Sequence, residues 1–299
     1  MSIDGYMVLG SAIVGLLVGM TGAGGGALMT PMLIFMFGVT PSTAISSDLV
    51  AAVVMRPVGA AVHLKRGTVN LALVGWLAVG SVPAALLGSL LLKVIGTGPA
   101  AETRIEIVLG TALLLGAAAM GLRAATRRGH GGLMPATELN LRPVPTICIG
   151  VLGGLMVGLT SVGSGSLMIV LLLFLYPMVS ASGLVGTDLV QAIPLTAAAA
   201  LGQLLFGHIE FAVTLSVIIG SVPAVLVGSL LSSRAPDRLL RPIIFFVLLA
   251  SGLKYVGVST TPLAWTMGAV VVASGIAWAV VRYRRARRIT AMAVDATAR

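Results

Sequence analysis

Charge is scarce in this chain. Of 299 residues only 9% are Asp, Glu, Lys or Arg, against about 25% in a soluble domain, and that shortage excludes a water-soluble globular fold. Cys148 is the single cysteine, so the sequence offers neither a disulfide framework nor a thiolate metal site. It also lacks a nucleophile–base pairing, a His/Cys cluster with metal-ligand spacing, and a Lys-Ser/Thr behind its glycine-rich loops, which removes the nucleotide-site reading of those loops. The chain reads as no enzyme, with no cofactor and no metal. Its first residues, MSIDGYMVLG, lack a basic n-region and a small-residue cleavage site. They are expected to form a retained first helix rather than a removed signal peptide.

What is abundant is apolar sequence. Some 58% of the residues are hydrophobic and the mean hydropathy is +1.08. Several runs reach the ~20 residues that a helix needs to cross a bilayer. Lipid cannot hydrogen-bond the backbone and the runs show no barrel-like alternation, so they are expected to be helices. The apolar segments are Tyr6–Phe37, Pro41–Leu64, Val69–Val94, Arg104–Leu122, Val144–Tyr176, Ser182–Phe206, Phe211–Leu231, Leu240–Val258 and Pro262–Val281. Arg123–Arg142 is the one polar linker. The net charge of +10 gathers in loops and in the tail RYRRARR, where it fixes topology and touches anionic membrane lipid. A nucleic-acid partner is not expected, because no soluble domain surrounds these charges.

The halves on either side of the linker repeat each other. GLLVGMTGAGGGALM aligns with GLMVGLTSVGSGSLM at an offset of 139 residues. At an offset of 140, SDLV at Ser47–Val50 matches TDLV at Thr187–Val190, and GSVPAALLGSLL from Gly80 matches GSVPAVLVGSLL from Gly220. Basic residues favour the cytoplasmic side. Counting back from the tail makes Ser182–Phe206 run outward, whereas Lys65 and Arg66 make its counterpart Pro41–Leu64 run inward. The expected fold is an all-α polytopic membrane protein of two inverted-topology repeats, each a re-entrant or short helical hairpin plus three transmembrane helices. Its divisions are residues 1–123, a cytoplasmic linker 124–143, residues 144–258, and an extra helix with basic tail over 259–299. The N-terminus lies outside and the C-terminus in the cytoplasm.

On this topology Tyr6–Phe37 and Val144–Tyr176 must each return to the face they enter, folding back at their glycines. Broken helices at membrane depth are tolerable beside protein or a watery cavity. A half-helix N-terminus presents free amides to an anion, and inverted-repeat transporters bind substrate at such paired breaks. Gly24, Gly25, Gly26, Gly163 and Gly165 are the candidate backbone ligands. Thr21, Ser161 and Ser164 place hydroxyls beside them, either to bind oxyanion oxygens or to cap the half-helices. The competing reading is that the glycines only allow close helix packing.

Ionisable residues inside apolar helices usually face a cavity or a partner. Arg56 is the candidate for a forked contact to an oxyanion; it has no charged counterpart in the second half. Asp48 and Asp188 occupy equivalent repeat positions, expected at matching depths on opposite sides of the midplane, and are candidates for carrying a coupling proton. A buried structural pair of Arg56 with an aspartate is the alternative. Gln191 is a candidate polar ligand or interhelical glue, and His63 a candidate gate or relay.

The paired glycine motifs, the SSDLV and GTDLV elements and VHLKRGTV together resemble the TauE/SafE sulfite exporter family, also called the toluene-sulfonate uptake permeases. The resemblance runs from about Val8 to Gly257. It implies a multi-pass inner-membrane permease for sulfite, sulfonates or related small sulfur-containing anions, driven by an ion gradient; with the two aspartates as carriers the expected coupling ion is a proton, and export is the expected direction. A homo-oligomer is left open. A passive anion channel, or a membrane subunit of a larger transport or sensing assembly, is the alternative.

Overall fold

The computed structural model describes residues 3–21, 25–65, 69–95, 98–126, 139–165, 167–177, 179, 181–207, 209–231, 237–259, 261–263 and 265–269. Residues up to Val256 form one compact unit, and those from Gly257 a second. In the second unit, helical turns occupy 261–263 and 265–269, joined where Thr266 Oγ1 donates to the Leu263 carbonyl at 2.8 Å. The rest of the expected Pro262–Val281 helix and the basic tail lie outside the described residues, as do residues 127–138 of the linker.

The first unit is helical throughout its described core. Its elements are α1 (Gly5–Thr21), α2 (Gly26–Phe37), α3 (Pro41–Lys65), α4 (Leu71–Ile95), α5 (Pro99–Thr126), α6 (Pro143–Thr160), α7 (Leu167–Leu175), α8 (Ala181–Phe206), α9 (Phe211–Leu231) and α10 (Asp237–Tyr255). Helices α3, α4, α5, α6, α8 and α9 each contain a stretch long and apolar enough to cross a membrane. Leu87, Leu91, Leu204, Leu205 and Leu230 point outward and exposed, as a lipid-facing surface requires and a water-facing one avoids.

Two sequence expectations shift. α5 begins at Pro99 rather than Arg104, because Pro at the first helical position and Glu102 in the first turn both suit a helix start. Glu102 serves a second purpose: Ser42, at the start of α3, donates to it from its amide at 3.1 Å and its hydroxyl at 2.5 Å. Each of the two apolar segments expected as hairpins is split at its glycines, but the arms are unequal. α6 has 18 residues, roughly 27 Å at 1.5 Å per residue, close to the ~30 Å hydrocarbon core. Its second arm, α7, has only 9 residues, and α2 has 12. α2 stops at Gly38, whose positive φ of 65° lets its amide reach the Ile34 carbonyl, while the Val39 amide reaches Leu33.

Helix packing crosses between the halves. α1 lies along α9 and α4 along α6, while α3 packs on α8 and α5 on α10. The glycines that permit the first two crossings stand at the same repeat positions in both halves. A Cβ on Gly15 of α1 would meet Ser221 of α9, and one on its repeat counterpart Gly154 of α6 would meet Ser81 of α4. Likewise Gly19 sits against Val225 and Gly158 against Ala85, while Gly80 sits against Ile147 and Gly220 against Val8. Without side chains at these points the backbones approach closely, which is how helices associate in lipid. For this group of glycines, tight packing is therefore the structural role.

Candidate functional site

The two helix breaks are built differently, and sequence explains why. At the second, α6 ends on Ser161, which takes up the left-handed conformation at φ 58°. Gly163 at φ 135° and Gly165 at φ 85° continue the turn, conformations that L side chains resist and glycine accepts. At the first break α2 starts directly after Gly25, with no side-chain cap on its first turn, so its leading amides have no intrahelical acceptor. The breaks touch: a Cβ placed on Gly26 would overlap the Ser161 backbone and hydroxyl. Gly24 lies outside the described residues.

Asp48 sits where these turns meet α3. Its side chain is fully buried. One carboxylate oxygen accepts the Ser161 hydroxyl at 2.5 Å and the Thr30 hydroxyl of α2 at 3.3 Å. The other has no hydrogen bond among the described residues and lies beside Gly25, whose Cβ would stand 3.7 Å away. One carboxylate thus joins α2, α3 and the turn after α6, tying both glycine breaks to one helix.

Asp188 is the counterpart on α8, and its surroundings differ. It is 1% exposed, yet both its oxygens lack a hydrogen bond among the described residues. The Gly165 amide lies in its field without closing a well-formed bond. Arg56 lies within electrostatic reach of both acids. It lies two helical turns past Asp48, roughly 12 Å of rise, which is too far for an easy pair on the same helix. Among the described residues the guanidinium, 7% exposed, makes no hydrogen bond and no ion pair within 4.0 Å. A buried arginine with five donors and no direct acceptor keeps unused hydrogen-bonding capacity. Among the described residues no ion pair within 4.0 Å joins Arg56 to Asp48 or Asp188.

The remaining candidates fall in three groups. Ser164 is buried with an unpartnered hydroxyl, beside Gly163 and Gly165 in the same turn. Thr21 turns its hydroxyl back to the Leu17 carbonyl of its own helix at 2.7 Å. Gln191 donates to Ser81 of α4 at 2.5 Å, the interhelical contact that was one of its two expected roles, while its carbonyl oxygen stays buried and unpartnered. The His63 side chain lies outside the described residues. Its repeat counterpart Gln203 bridges three helices, donating to the Gly158 carbonyl at 3.3 Å while its carbonyl oxygen accepts the Ser46 hydroxyl at 2.9 Å.

Sequence reasoning missed Thr30 and Ser81. A signal for Thr30 existed: it follows Gly26 by four residues, so it shares the helix face that meets Ser161. Ser81 carried one in the repeated Gly-Ser-Val-Pro, whose two serines, Ser81 and Ser221, stand against Gly154 and Gly15. Among the described residues no group of His, Cys, Asp and Glu is gathered to hold a metal ion.

Comparison with known proteins agrees with this architecture. No solved structure matches the chain. A probable membrane transporter protein, YjnA of Bacillus subtilis, is 39% identical over 258 residues, covering 84% of this chain and 98% of its own. A second from the same organism, the probable membrane transporter protein YdhB, is 23% identical over 255 residues, covering 83% of this chain and 98% of its own. The family described as sulfite exporter TauE/SafE matches residues 7–255. With its multi-pass helices and glycine-broken hairpins, the chain belongs to that family of membrane transporters, not to an enzyme family.

Proposed function

We propose that this protein is a secondary transporter for small sulfur oxyanions, sulfite or sulfonates, which bind at Arg56 between the two glycine turns. The observation that carries the reading is the buried guanidinium without a direct acceptor. Charge at membrane depth is costly unless neutralised, and a tetrahedral or pyramidal oxyanion supplies oxygens for a forked contact. Gly25 and Gly165 leave the backbone uncovered near the two acids, and the Ser164 hydroxyl adds an unused donor. The family supports sulfur oxyanions as the cargo.

In this reading the protein lies in the bacterial inner membrane with its N-terminus outside and C-terminus in the cytoplasm. Its halves are related by inverted topology, which the exchange of Gly15–Ser221 for Gly154–Ser81 supports. Net flow is outward when the anion accumulates in the cytoplasm. The test is flux of ³⁵S-labelled sulfite, thiosulfate and ethanesulfonate in proteoliposomes. The wild type is expected to carry sulfite or ethanesulfonate. Arg56→Ala is expected to lose the flux at least tenfold while keeping its elution profile in detergent. Absence of flux in the wild type refutes transport, and normal flux in Arg56→Ala refutes the site.

A further inference from the structure

The two aspartates are alike in sequence and unlike in structure, and the difference bears on how the anion moves. Asp48 is anchored by two hydroxyls on one oxygen. Asp188 is as deeply buried, with neither oxygen closing a well-formed hydrogen bond among the described residues. Arg56, itself buried, lies within electrostatic reach of both. Among the described side chains the other buried ionisable groups are the phenols of Tyr176 and Tyr255; α2, α7 and α9 carry no titratable group, α6 only the exposed Cys148, and Lys93 of α4, Glu102, Arg104 and Glu106 of α5 and Lys254 of α10 are not buried.

With both acids ionised, the enclosed set Asp48, Asp188 and Arg56 carries one net negative charge. A monoanion arriving at Arg56 alone would double it, in surroundings where an uncompensated charge is expensive. If a proton from the aqueous phase attaches to Asp188 as the anion arrives, the enclosed charge stays where it was. Arg56 then exchanges one negative partner, the Asp188 carboxylate, for another, the oxyanion. Asp48 is not suited to this exchange, because its hydroxyl partners donate to a carboxylate and hold it as the fixed counter-charge.

We propose, on the reading that Arg56 binds the transported anion, that Asp188 takes up one proton with each monovalent oxyanion, so that proton and anion cross together in the same direction and without net charge. Flow then reverses with the two gradients: outward when the anion is in excess inside, inward when the outside is acid.

The test uses proteoliposomes and ³⁵S-ethanesulfonate, a strong-acid monoanion that carries no proton of its own. An acid exterior is expected to drive wild-type accumulation by about tenfold per pH unit, since one pH unit and one decade of concentration are the same free energy. The accumulation should be indifferent to a valinomycin-clamped potential. Asp188→Asn is expected to abolish accumulation driven by the pH gradient, yet to exchange labelled for unlabelled ethanesulfonate across the membrane. Asp188→Glu restores the pH-driven component, which separates proton carriage from mere folding. Accumulation by Asp188→Asn that still follows the pH gradient overturns the proposal while leaving Arg56 as the anion site. Loss of all wild-type flux removes the transport reading itself.

Discussion

Replacing Gly15 or Gly154 with alanine tests whether the crossings of α1 with α9 and α4 with α6 are set by the missing side chains. At Gly15 the new methyl carbon would stand 2.7 Å from the Ser221 carbonyl oxygen and 2.8 Å from its Cα. At Gly154 it would stand 2.6 Å from the Ser81 Cα and overlap the Ser81 carbonyl oxygen more closely still. Ordinary contact begins near 3.4 Å, so the helices must part by at least about 0.7 Å at Gly15 and by more at Gly154. The obstructing atoms are backbone, which cannot turn aside as a side-chain tip would. Overpacking of this kind costs about 1–3 kcal/mol, and each kcal/mol lowers Tm by roughly 2–4 °C in a chain of this size. Thermal unfolding in detergent, followed by tryptophan fluorescence, is expected to show similar drops for both variants. Gly59→Ala and Gly75→Ala, where no atom lies within 4 Å of the added carbon, are the controls and should leave Tm unchanged. Equal melting of all four variants would refute the argument, and a large drop at only one seam would refute the equivalence of the two.

Two further outcomes follow from the site and the topology. Ser161→Ala removes the 2.5 Å bond to Asp48, leaving Thr30 as its remaining hydroxyl partner. A hydrogen bond to a charged group is worth about 1.5–3 kcal/mol, so Tm should fall; an unchanged Tm would refute the role of the hydroxyl. In a Cys148→Ser background, a cysteine at exposed Thr40 should react with impermeant maleimide from outside intact cells, and one at exposed Asn140 only after permeabilisation. The opposite pattern would reverse the proposed orientation.

Much of the fold could be read before any coordinates because apolar runs, glycines and repeats are local signals. The breaks fall where GAGGG and SVGSGS stand, and α3, α8, α4 and α9 begin within two residues of the expected starts. The partners across the halves could not be read. Small residues line α1, α4, α6 and α9 alike, and nothing in a one-dimensional pattern says that α1 chooses α9 over its own hairpin arm. The site was legible by residue type but not by pairing. Asp48 and Asp188 are equivalent in the alignment, yet only Asp48 has a hydroxyl-bearing residue, Ser161, placed on it by a left-handed turn. That turn depends on where α6 and α2 meet, a long-range fact. Arg56 was expected to share a face with Asp48, and the helical rise between them explains why the two make no direct contact.

The interleaving of α1 with α9 and of α4 with α6 also has a meaning for biogenesis. Neither half possesses a complete interior: the small-residue seam of the first four helices faces lipid until the later ones have left the ribosome and been inserted. An N-terminal fragment therefore waits in the bilayer with its narrow faces unfilled, a natural substrate for membrane quality control. Maturation is a late zippering event, and a nonsense codon after α5 leaves a species that is inserted but unfinished.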